Sequence, residues 1–392
     1  MTVLVINSGS SSIKYQLVDP ESGDAIAVGL VEQIGESSSH VKHTYQGEKH
    51  EYDLVLADHG EGLRFVLNLF EKIGPQLSEA GIKAVGHRVV QGGNHFDGPA
   101  LVTDEVRDLV EELAPLAPLH NPANLRGIDV ARELLDVPHV VVFDTAFFQT
   151  LPEEAARYAL NREVADKYAV RRYGAHGTSH QFVSQKVAEF TGRDDLKQIV
   201  LHLGNGASVS AVVNGEAVDT SMGLTPLEGL VMGTRTGDID PAVIFHLSRV
   251  GGMNVGELDN LFNKQSGLKG LAGENDMRAV WALANGGDKF AREALDIYVH
   301  RLVKYIGSYA AVMGGLDTIA FTAGIGENDE LLRAEVIERL NSFGIKLDLE
   351  ANDVRSDDIR QISTDDSSVQ VLIVPTNEEL AIARQAMDVI SR

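Results

Sequence analysis

The chain contains two similar copies of a strand, a small polar loop and a returning strand, and this repeat constrains the fold more than any other feature. The copies span residues 2–18 and 199–213. In each, two β-rich apolar runs flank a tip of Ser, Gly, Asn and Ala residues, a pattern that predicts a β-hairpin. Because the copies lie far apart, we interpret them as a duplicated unit, one in each of two domains. A chance resemblance between two short segments is the alternative.

Strand and helix signals alternate through the rest of the chain, which is typical of α/β domains. Further strands are predicted at residues 137–143, 216–218, 318–321 and 369–374. Helices are predicted at residues 127–135, 181–190 and 329–340, and from residues 240 and 376 onwards. The apolar-faced segment 290–313 predicts either a core helix or an interface helix.

The length of 392 residues is too great for one ordinary domain. We therefore predict a first domain at residues 1–148, on which a C-terminal helix at 379–392 packs back. The second domain is predicted at residues 149–378. No low-complexity tract separates the two.

The net charge restricts the partners of the chain. Lys and Arg total 34 against 57 Asp and Glu, a net charge of −23 at pH 7. This negative field repels nucleic-acid phosphates and anionic lipids, so neither nucleic acid nor a membrane is expected as a partner. An anionic substrate would need a local group of cations or a metal ion. The absence of cysteine from the sequence excludes disulfides and thiolate sites and fits a cytoplasmic location.

Several motifs of common nucleotide-binding and hydrolytic enzymes are missing from the sequence. The chain has no Gly-Lys dipeptide and therefore no Walker A motif. It also lacks the GxGxxG fingerprint, the HExxH zinc helix, the EF-hand loop and the GxSxG elbow. These absences disfavour P-loop NTPases, Rossmann-type dinucleotide enzymes, zinc proteases and α/β-hydrolases.

The two hairpin tips are candidate phosphate-binding loops. Residues 7–12 are small and polar, and Lys14 follows them. Small residues let backbone N–H groups approach a phosphate closely, and hydroxyls and a lysine would complete the contacts. The second tip, residues 204–208 behind His202, has the same character. Each tip alone is also explained as a polar hairpin turn, but two of them facing each other would hold a nucleoside triphosphate.

Two arginines and a histidine are candidates for anion binding. Arg88 lies near the end of a predicted strand, just before Gln91, Gly92 and Gly93. Arg235 lies in a loop of Gly and Thr residues that offers it little to pack against, so it is expected to reach a planar oxyanion. His176 precedes a predicted helix and is either a site residue or an ordinary loop histidine.

Two carboxylates complete the candidate site. Asp144 follows the buried run 140–143, at the end of a strand where open α/β sheets place their ligands. A turn or cap role is the alternative for Asp144. The helix near residue 376 has a predicted capping box of Thr376 with Glu379, which leaves Glu378 free for a metal-bound phosphate. A similar box of Thr178 with Gln181 leaves His176 outside the cap.

Ten sequence strings resemble, in order, the motifs of the acetokinase family, which belongs to the actin-like ATPase superfamily. They are NSGSSSIKY from Asn7, HRVVQGG from His87, PLAPLHNP from Pro115, FDTAFF from Phe143, GAHGTSH from Gly174, HLGNGAS from His202, MGLTPLEGL from Met222, GTRTGDIDP from Gly233, FTAGIGEN from Phe321 and PTNEEL from Pro375. The strings span essentially the whole chain. The resemblance implies two duplicated actin-like, ribonuclease H-like α/β domains that flank an ATP cleft.

The resemblance also implies roles for individual residues. Asn7 and Glu378 would serve a Mg²⁺ site, with Mn²⁺ as an alternative ion, and Lys14 would contact ATP. Asp144, His176 and Arg235 would be catalytic. The substrate pocket would be formed by Arg88, Val90, Leu119 and Pro226. The phosphates and the adenosine would be held by His202, Leu203, Gly204, Asn205, Gly206, Asp276, Met277, Arg278, Gly324, Ile325, Gly326, Glu327 and Asn328.

The implied reaction is the reversible transfer of the γ-phosphoryl group of ATP to acetate, in line and without a phosphoenzyme. Acetate has a carboxyl pKa of about 4 and is already ionised, so no general base is required. Asp144 is therefore interpreted as an orienting or metal-linked residue. The resemblance further implies a homodimer.

Two positions depart from the pattern of the family. Gln91 stands where the family commonly has His, and Ala175 stands where it commonly has Phe. Loss of a phenyl ring would enlarge the acyl pocket, so a propionate or butyrate kinase is the first alternative. A non-metabolic actin-like ATPase is the second, although it leaves Arg88, His176 and Arg235 without a purpose.

Overall fold

The computed structural model describes residues 1–9, 11–118 and 120–392 and divides the chain into two units. The first unit combines Met1–Gln149 with Asn377–Arg392, and the second is Thr150–Thr376. The divisions lie within two residues of the domain limits inferred from the sequence. Ser10 and Leu119, which belong to the predicted phosphate loop and acyl pocket, lie outside the described residues.

The strands of the first unit are β1 Thr2–Ser8, β2 Ile13–Val18, β3 Ala25–Glu32, β4 Ser39–Tyr45, β5 Glu48–Leu54, β6 Ile82–Val89, β7 Ala100–Leu101 and β8 His139–Phe143. Its helices are α1 His59–Lys72, α2 Asp104–Glu112 and α3 Asn121–Leu134, with the C-terminal helix Glu378–Ile390. Short 3₁₀ turns lie at Ala114–Leu116 and Ala146–Thr150.

The strands of the second unit are β9 Lys197–Leu203, β10 Ala207–Val213, β11 Glu216–Thr220, β12 Thr318–Thr322, β13 Arg360–Gln361 and β14 Gln370–Ile373. Its helices are α4 Glu153–Ala156, α5 Arg162–Lys167, α6 Gly177–Thr191, α7 Ala242–Gly251, α8 Val255–Lys264, α9 Gly267–Ala272, α10 Met277–Asn285, α11 Lys289–Val312, α12 Ala323–Asn328, α13 Glu330–Glu338 and α14 Leu349–Asp353. A 3₁₀ turn lies at Asn341–Phe343. The C-terminal helix of the first unit is α15.

Each of the two sheets contains five strands in the same arrangement. In the first unit the order is β3-β2-β1-β6-β8, and in the second it is β11-β10-β9-β12-β14. In both, the first three strands are antiparallel and the last two run parallel to the central one. The expectation of two duplicated α/β domains of the actin-like type is therefore confirmed by topology as well as by the repeated hairpin.

The central strands are buried on both faces, as their continuous apolar runs predict. Every residue of β8 and β12 is buried. Gly86 in β6 lets α15 approach the sheet of the first unit, because a β-carbon there would stand 2.7 Å from Ile382. In the second unit, α11 buries one face that includes Leu295, Val299, Leu302 and Ile306. Of the two interpretations of this segment, the core helix is the one observed.

Two predicted capping boxes are wrong. The helix predicted from residue 181 begins at Gly177, and its N-cap is His176, in the left-handed region at φ 61°. The N-cap of α15 is Asn377, whose side chain accepts a hydrogen bond from the Leu380 N–H at 2.9 Å. The Ser/Thr-x-x-Glu/Gln pattern is short and local, and in both helices the residue at the N-cap lies outside the predicted box; only Asn377 makes a side-chain capping bond. Among the described helices, none is long and apolar enough to cross a bilayer.

Candidate active site

The first unit holds Arg88 in a two-pronged ion pair with Asp144. Arg88 Nε donates to Asp144 Oδ1 at 3.0 Å, and Nη2 donates to Oδ2 at 2.5 Å. The two residues meet because β6 and β8 are parallel neighbours in register, with Arg88 opposite Val142. The Asp144 side chain is 1% exposed and that of Arg88 is 21% exposed. Burial lowers the pKa of Arg88, but Asp144 and Glu378 outweigh it and keep the pKa above its ordinary value.

Asn7 connects Arg88 to the central strand. Arg88 Nη1 donates to Asn7 Oδ1 at 3.3 Å, and Asn7 lies in β1 opposite Lys14. Asn7 was predicted in a loop but lies in the extended end of this strand. Both oxygens of Asp144 accept hydrogen bonds from Arg88.

Lys14, Glu378 and Glu379 lie near this ion pair at the start of α15. Lys14 Nζ pairs with Glu379, which is therefore not the capping residue that the sequence predicted. Burial raises the pKa of the Glu378 carboxyl, and although Arg88 lowers it, Asp144 acts in the same direction as burial. Glu378 is thus a half-buried carboxylate whose ionised form a further cation would stabilise.

Two asparagines that sequence reasoning missed hold the end of β6. Asn124 accepts from the Val90 N–H at 3.2 Å and donates to the Ser8 carbonyl at 2.7 Å. Asn121 bonds both the N–H and the carbonyl of Gln91. Gln91 Oε1 in turn accepts from the Gly93 N–H. Gln91 is therefore a buried structural residue here, and Val90, which precedes it, is also buried and is held through its N–H by Asn124. The Asn-Pro-Ala-Asn string at residue 121 was the available signal.

The second unit presents the tip at residues 204–206 between β9 and β10. The Gly204 N–H donates to the Gly206 carbonyl at 3.0 Å, which closes the turn. The neighbouring loop packs directly on this tip, because a β-carbon on Gly233 would stand 1.9 Å from Asn205 Oδ1. The Gly233 N–H also donates to the Asn205 carbonyl at 2.9 Å. His202 and Leu203, at the end of β9, are buried behind the tip.

His176 and Arg235 converge on this tip. A β-carbon built on Gly206 would stand 3.5 Å from His176 Nε2 and 3.6 Å from Arg235 Nη1. The His176 ring also stacks on that of His202, with centroids 4.2 Å apart. Three elements separated in sequence thus bring an imidazole, a guanidinium and a glycine turn to one point. This arrangement favours a phosphate-sized anion.

Arg235 lacks a carboxylate partner among the described residues of its unit. Its Nη1 donates to the Pro226 carbonyl at 3.0 Å, and Met232 Sδ lies at 3.8 Å. Burial lowers the pKa of its guanidinium. A half-buried cation that makes only neutral contacts is costly unless an anion joins it. The loop that carries it is held at both ends, because Arg301 donates to the carbonyls of Gly229 and Asp238.

A cavity of about 870 Å³ opens beside this tip. Predicted nucleotide residues that line it are Gly204, Asn205, Asp276, Met277, Arg278, Gly324, Ile325 and Asn328. Asp276 caps α10 by accepting from the Arg278 N–H at 2.9 Å, and its ion pair with the Arg278 side chain lowers its pKa to about 2. The volume lies in the range of small-molecule sites.

Gly326 and Glu327 support the cavity from behind. Glu327 Oε1 accepts from the N–H groups of Ala323 and Thr376 at 2.8 and 3.1 Å. The Gly326 carbonyl accepts from the buried Arg333 at 2.9 Å. Both predicted residues therefore shape the loop, while their neighbours face the cavity.

Sequence reasoning missed the face of α10 that lines the same cavity. Trp281 and Asn285 follow Met277 at intervals of four residues, so all three lie on one side of the helix. Trp281 Nε1 donates to Asp329 Oδ2 at 2.8 Å. Continuing the helical period from Met277 would have found both.

The chain matches known proteins over nearly its whole length. The model of the acetokinase family matches residues 2–384. The acetate kinase of Leifsonia xyli subsp. xyli is 56% identical over 392 residues, with 99% of each chain covered. The crystal structure of Porphyromonas gingivalis acetate kinase is 43% identical with a TM-score of 0.95, covering 99% of both chains. That of a propionate kinase from Francisella tularensis subsp. tularensis is 39% identical with a TM-score of 0.94 and the same coverage.

Proposed function

The chain belongs to the acetokinase family, and on that premise we propose that it transfers the γ-phosphoryl group of ATP reversibly to acetate, giving acetyl phosphate and ADP. Transfer would be direct and in line, without a covalent enzyme intermediate. The relative at 56% identity is named an acetate kinase, whereas the propionate kinase stands at 39%. Acetate is therefore favoured over propionate as the acceptor.

The single observation that carries the proposal is the convergence of His176 and Arg235 on the Gly206 turn, beside a cavity large enough for a nucleotide. Phosphoryl transfer creates charge on the equatorial oxygens, and hydrogen-bond donors that are already fixed in position stabilise that charge. Acetate brings its own ionised nucleophile, so the site needs cations and not a base.

Hydroxylamine trapping tests the activity. With MgATP, the protein should form hydroxamate from acetate faster than from propionate or butyrate, and none from glycerol. Higher kcat/KM with propionate would reassign the acyl specificity, in line with the small Ala175 side chain. ATP hydrolysis without any hydroxamate would replace the proposal by a non-metabolic ATPase.

Arg88 is proposed to bind the acetate carboxylate or its phosphate, with Val90 of the same unit beside the methyl group. The position of Arg88 supports this role, because Asp144 and Asn7 hold its guanidinium while part of the side chain stays exposed. Lys14 is proposed to contact ATP, exchanging Glu379 for phosphate. Residues 202–206 are proposed to bind the phosphates, and residues 276–278 with 324–328 the adenosine.

The residues of the first unit fit a Mg²⁺ ion. Mg²⁺ prefers one or two protein oxygen ligands together with water and substrate phosphates. Asn7 Oδ1 and the Glu378 carboxylate would supply such ligands. Burial raises the pKa of the Glu378 carboxyl, and this supports the proposal because a bound cation would stabilise the ionised form. No group of three or more His, Asp or Glu side chains suited to a metal occurs among the described residues. When bound, the ion would neutralise phosphate charge, and Mn²⁺ would serve the same ligands.

We expect Glu378→Gln to raise the Mg²⁺ concentration for half-maximal activity at least about tenfold, because one charged ligand is lost. Activity should vanish with excess EDTA and return with Mg²⁺ or Mn²⁺. Glu338→Gln, which neutralises an exposed carboxylate at the end of α13, is the matched control. An unchanged Mg²⁺ requirement in Glu378→Gln would remove this residue from the metal site.

Trp281 should report nucleotide binding. It is the only tryptophan in the sequence and lines the cavity, so a bound base changes its surroundings. Titration with ADP is expected to change its fluorescence intensity or emission maximum, whereas acetate alone leaves both unchanged. If calorimetry detects ADP binding while the fluorescence stays constant, the nucleotide lies elsewhere.

Gly206→Ala should block the site while leaving the fold intact. The added methyl group would make ordinary contacts at 3.5–3.6 Å, but it would occupy the space between His176 and Arg235. We expect kcat to fall about 100-fold, comparable to the loss of one transition-state donor. Gly307→Ala, where no atom lies within 4 Å of the new carbon, is the control and should behave as wild type. Full activity in Gly206→Ala would exclude phosphate from this space.

A homodimer and a cytoplasmic location remain parts of the proposal. An exposed apolar surface of α7 supports self-association, because Phe245 is 57% and Val250 is 75% exposed. Sedimentation equilibrium of the wild type and of Phe245→Glu would test it. A monomeric wild type would contradict the dimer, and an intact dimer in Phe245→Glu would exclude α7. ATP as co-substrate supports the cytoplasm, and cell fractionation measures it.

A further inference from the structure

A chain of hydrogen bonds runs behind His176, through side chains to which the proposed function gives no role. His176 Nδ1 contacts Ser208 Oγ at 2.9 Å. The same hydroxyl contacts His180 Nε2 at 2.7 Å, and His180 Nδ1 contacts Ser210 Oγ at 2.7 Å. The order of the contacts is therefore His176, Ser208, His180, Ser210. Ser208 and Ser210 lie on the same face of β10, and His180 lies one turn after His176 on α6.

His180 enters this chain as a neutral ring. It is 0% exposed, and burial together with His202 holds its pKa well below the ordinary value. A neutral imidazole has one N–H donor and one acceptor nitrogen, whereas a hydroxyl donates one hydrogen bond and accepts others. When the Ser208 hydroxyl donates its proton to one of the two rings, the chain can be satisfied in two directions along its length.

In one direction Ser210 donates to His180, His180 Nε2–H donates to Ser208, and Ser208 donates to His176 Nδ1. His176 then carries its proton on Nε2, the atom that faces the Gly206 turn. In the other direction every donor is reversed and His176 Nε2 presents a lone pair. A lone pair repels phosphate oxygens, so an anion at the turn selects the first direction.

We propose that Ser208 and His180 are positioning residues that hold His176 as the Nε2–H tautomer, so that a neutral imidazole donates a hydrogen bond to the transferring phosphoryl group. The inference rests on the proposed phosphotransfer, because it assigns the state of a residue in that same site. His176 then needs no protonation from solvent, and Ser208 delivers the hydrogen bond that distinguishes the two ring nitrogens. Two further ionisable groups of this unit lie close by: His202 stacks on the His176 ring, and Arg235 Nη1 approaches the same point above Gly206.

Nitrogen-15 NMR of the histidine side chains in the full-length protein tests the tautomer directly. In the complex with MgADP, His176, assigned by its loss in His176→Asn, should show a protonated Nε2 and an unprotonated Nδ1. Ser208→Ala should lose that preference. A protonated Nδ1 with a bare Nε2 in the wild type, or protons on both nitrogens, would overturn the inference whatever the variants do.

Kinetics provide the second readout. Ser208→Ala should lower kcat about 10- to 100-fold, the loss typical for removing an outer hydrogen-bond partner of a functional histidine. KM for MgATP should stay within about twofold, since the lost bond matters in the transition state. Ser208→Thr, which keeps the hydroxyl, should recover at least part of kcat. Ser210→Ala, on the same strand but one bond further away, should lose much less.

Equal losses of kcat in Ser208→Ala and Ser210→Ala, without a change in the His176 tautomer, would assign the effect to packing. That result would refute the positioning role of Ser208 and His180. The tautomer is read in a complex that does not turn over, so this outcome is independent of the acyl acceptor. A wild type without hydroxamate-forming activity would instead refute the proposed function while the NMR result still stands.

Discussion

Arg235→Ala is expected to lower kcat for acetyl phosphate formation at least about 1,000-fold, by analogy with the arginines that stabilise phosphoryl transfer in other enzymes. The guanidinium lies 3.6 Å from the space above Gly206 and is held there by the Pro226 carbonyl. The described carboxylates of its unit leave it without a counter-charge, so its charge is available to the reacting phosphoryl group. Steady-state kinetics with MgATP and acetate measure the effect.

The fold should survive this substitution. Removing a half-buried cation that makes only neutral contacts does not leave an unpaired charge behind. Arg193→Ala is the matched control, because it deletes a surface arginine of the same unit that pairs with Asp195. Arg193→Ala should retain wild-type kcat. Arg235→Lys, which keeps the charge but loses the fork, should fall between the two. Wild-type kcat in Arg235→Ala would exclude this residue from the mechanism.

Arg88→Ala is expected to damage both stability and activity. It leaves the buried Asp144 carboxylate without its partner, and breaking a buried pair from one side costs about 3–5 kcal/mol. At about 2–4 °C per kcal/mol, the Tm should fall by roughly 6–20 °C. Activity should fall at least about 100-fold, because the acyl group loses its cation. Calorimetry and hydroxamate formation measure the two effects.

A double variant separates the two roles of this pair. Arg88→Met combined with Asp144→Leu replaces the ion pair by apolar groups of similar volume, which is often neutral for stability. We therefore expect the Tm to recover most of its loss while activity stays absent. Recovery of activity together with the Tm would show that Arg88 matters only for folding. An unchanged Tm in Arg88→Ala alone would mean that water replaces the hydrogen bonds that Arg88 donates to Asp144.

Much of the architecture follows from local patterns. In the sequence, the hairpin β1–β2 and its counterpart β9–β10 are recognisable as apolar runs on either side of a small polar tip. Strands β8 and β12 are recognisable as continuous apolar segments. The periods of strands and helices act over a few residues, so they can be read without knowledge of the fold. Helix starts were less reliable. The prediction of α6 from residue 181 missed Gly177, because His176 adopts a left-handed conformation that ends the preceding loop earlier.

The sequence predicted the individual residues of the candidate site better than it predicted the contacts between them. Arg88, Asp144, His176 and Arg235 stand out by residue type and by the loops or strand ends that carry them. The fork between Arg88 and Asp144, however, joins residues 56 positions apart and depends on strand register. The pairing of Glu379 with Lys14 replaced a predicted cap in the same way.

The amino-acid sequence alone determined that the chain builds two α/β domains from one repeated unit, with small-residue turns and isolated cations where anions would bind. These features depend on interactions between neighbours in the chain. Only the tertiary structure decided which cations have counter-charges. Arg88 pairs with Asp144, Arg235 has no carboxylate partner among the described residues of its unit, and His176 contacts Ser208, which in turn contacts His180. Such assignments depend on side-chain geometry between distant strands and loops, where a shift of one residue in register moves a charge to the other face of the sheet.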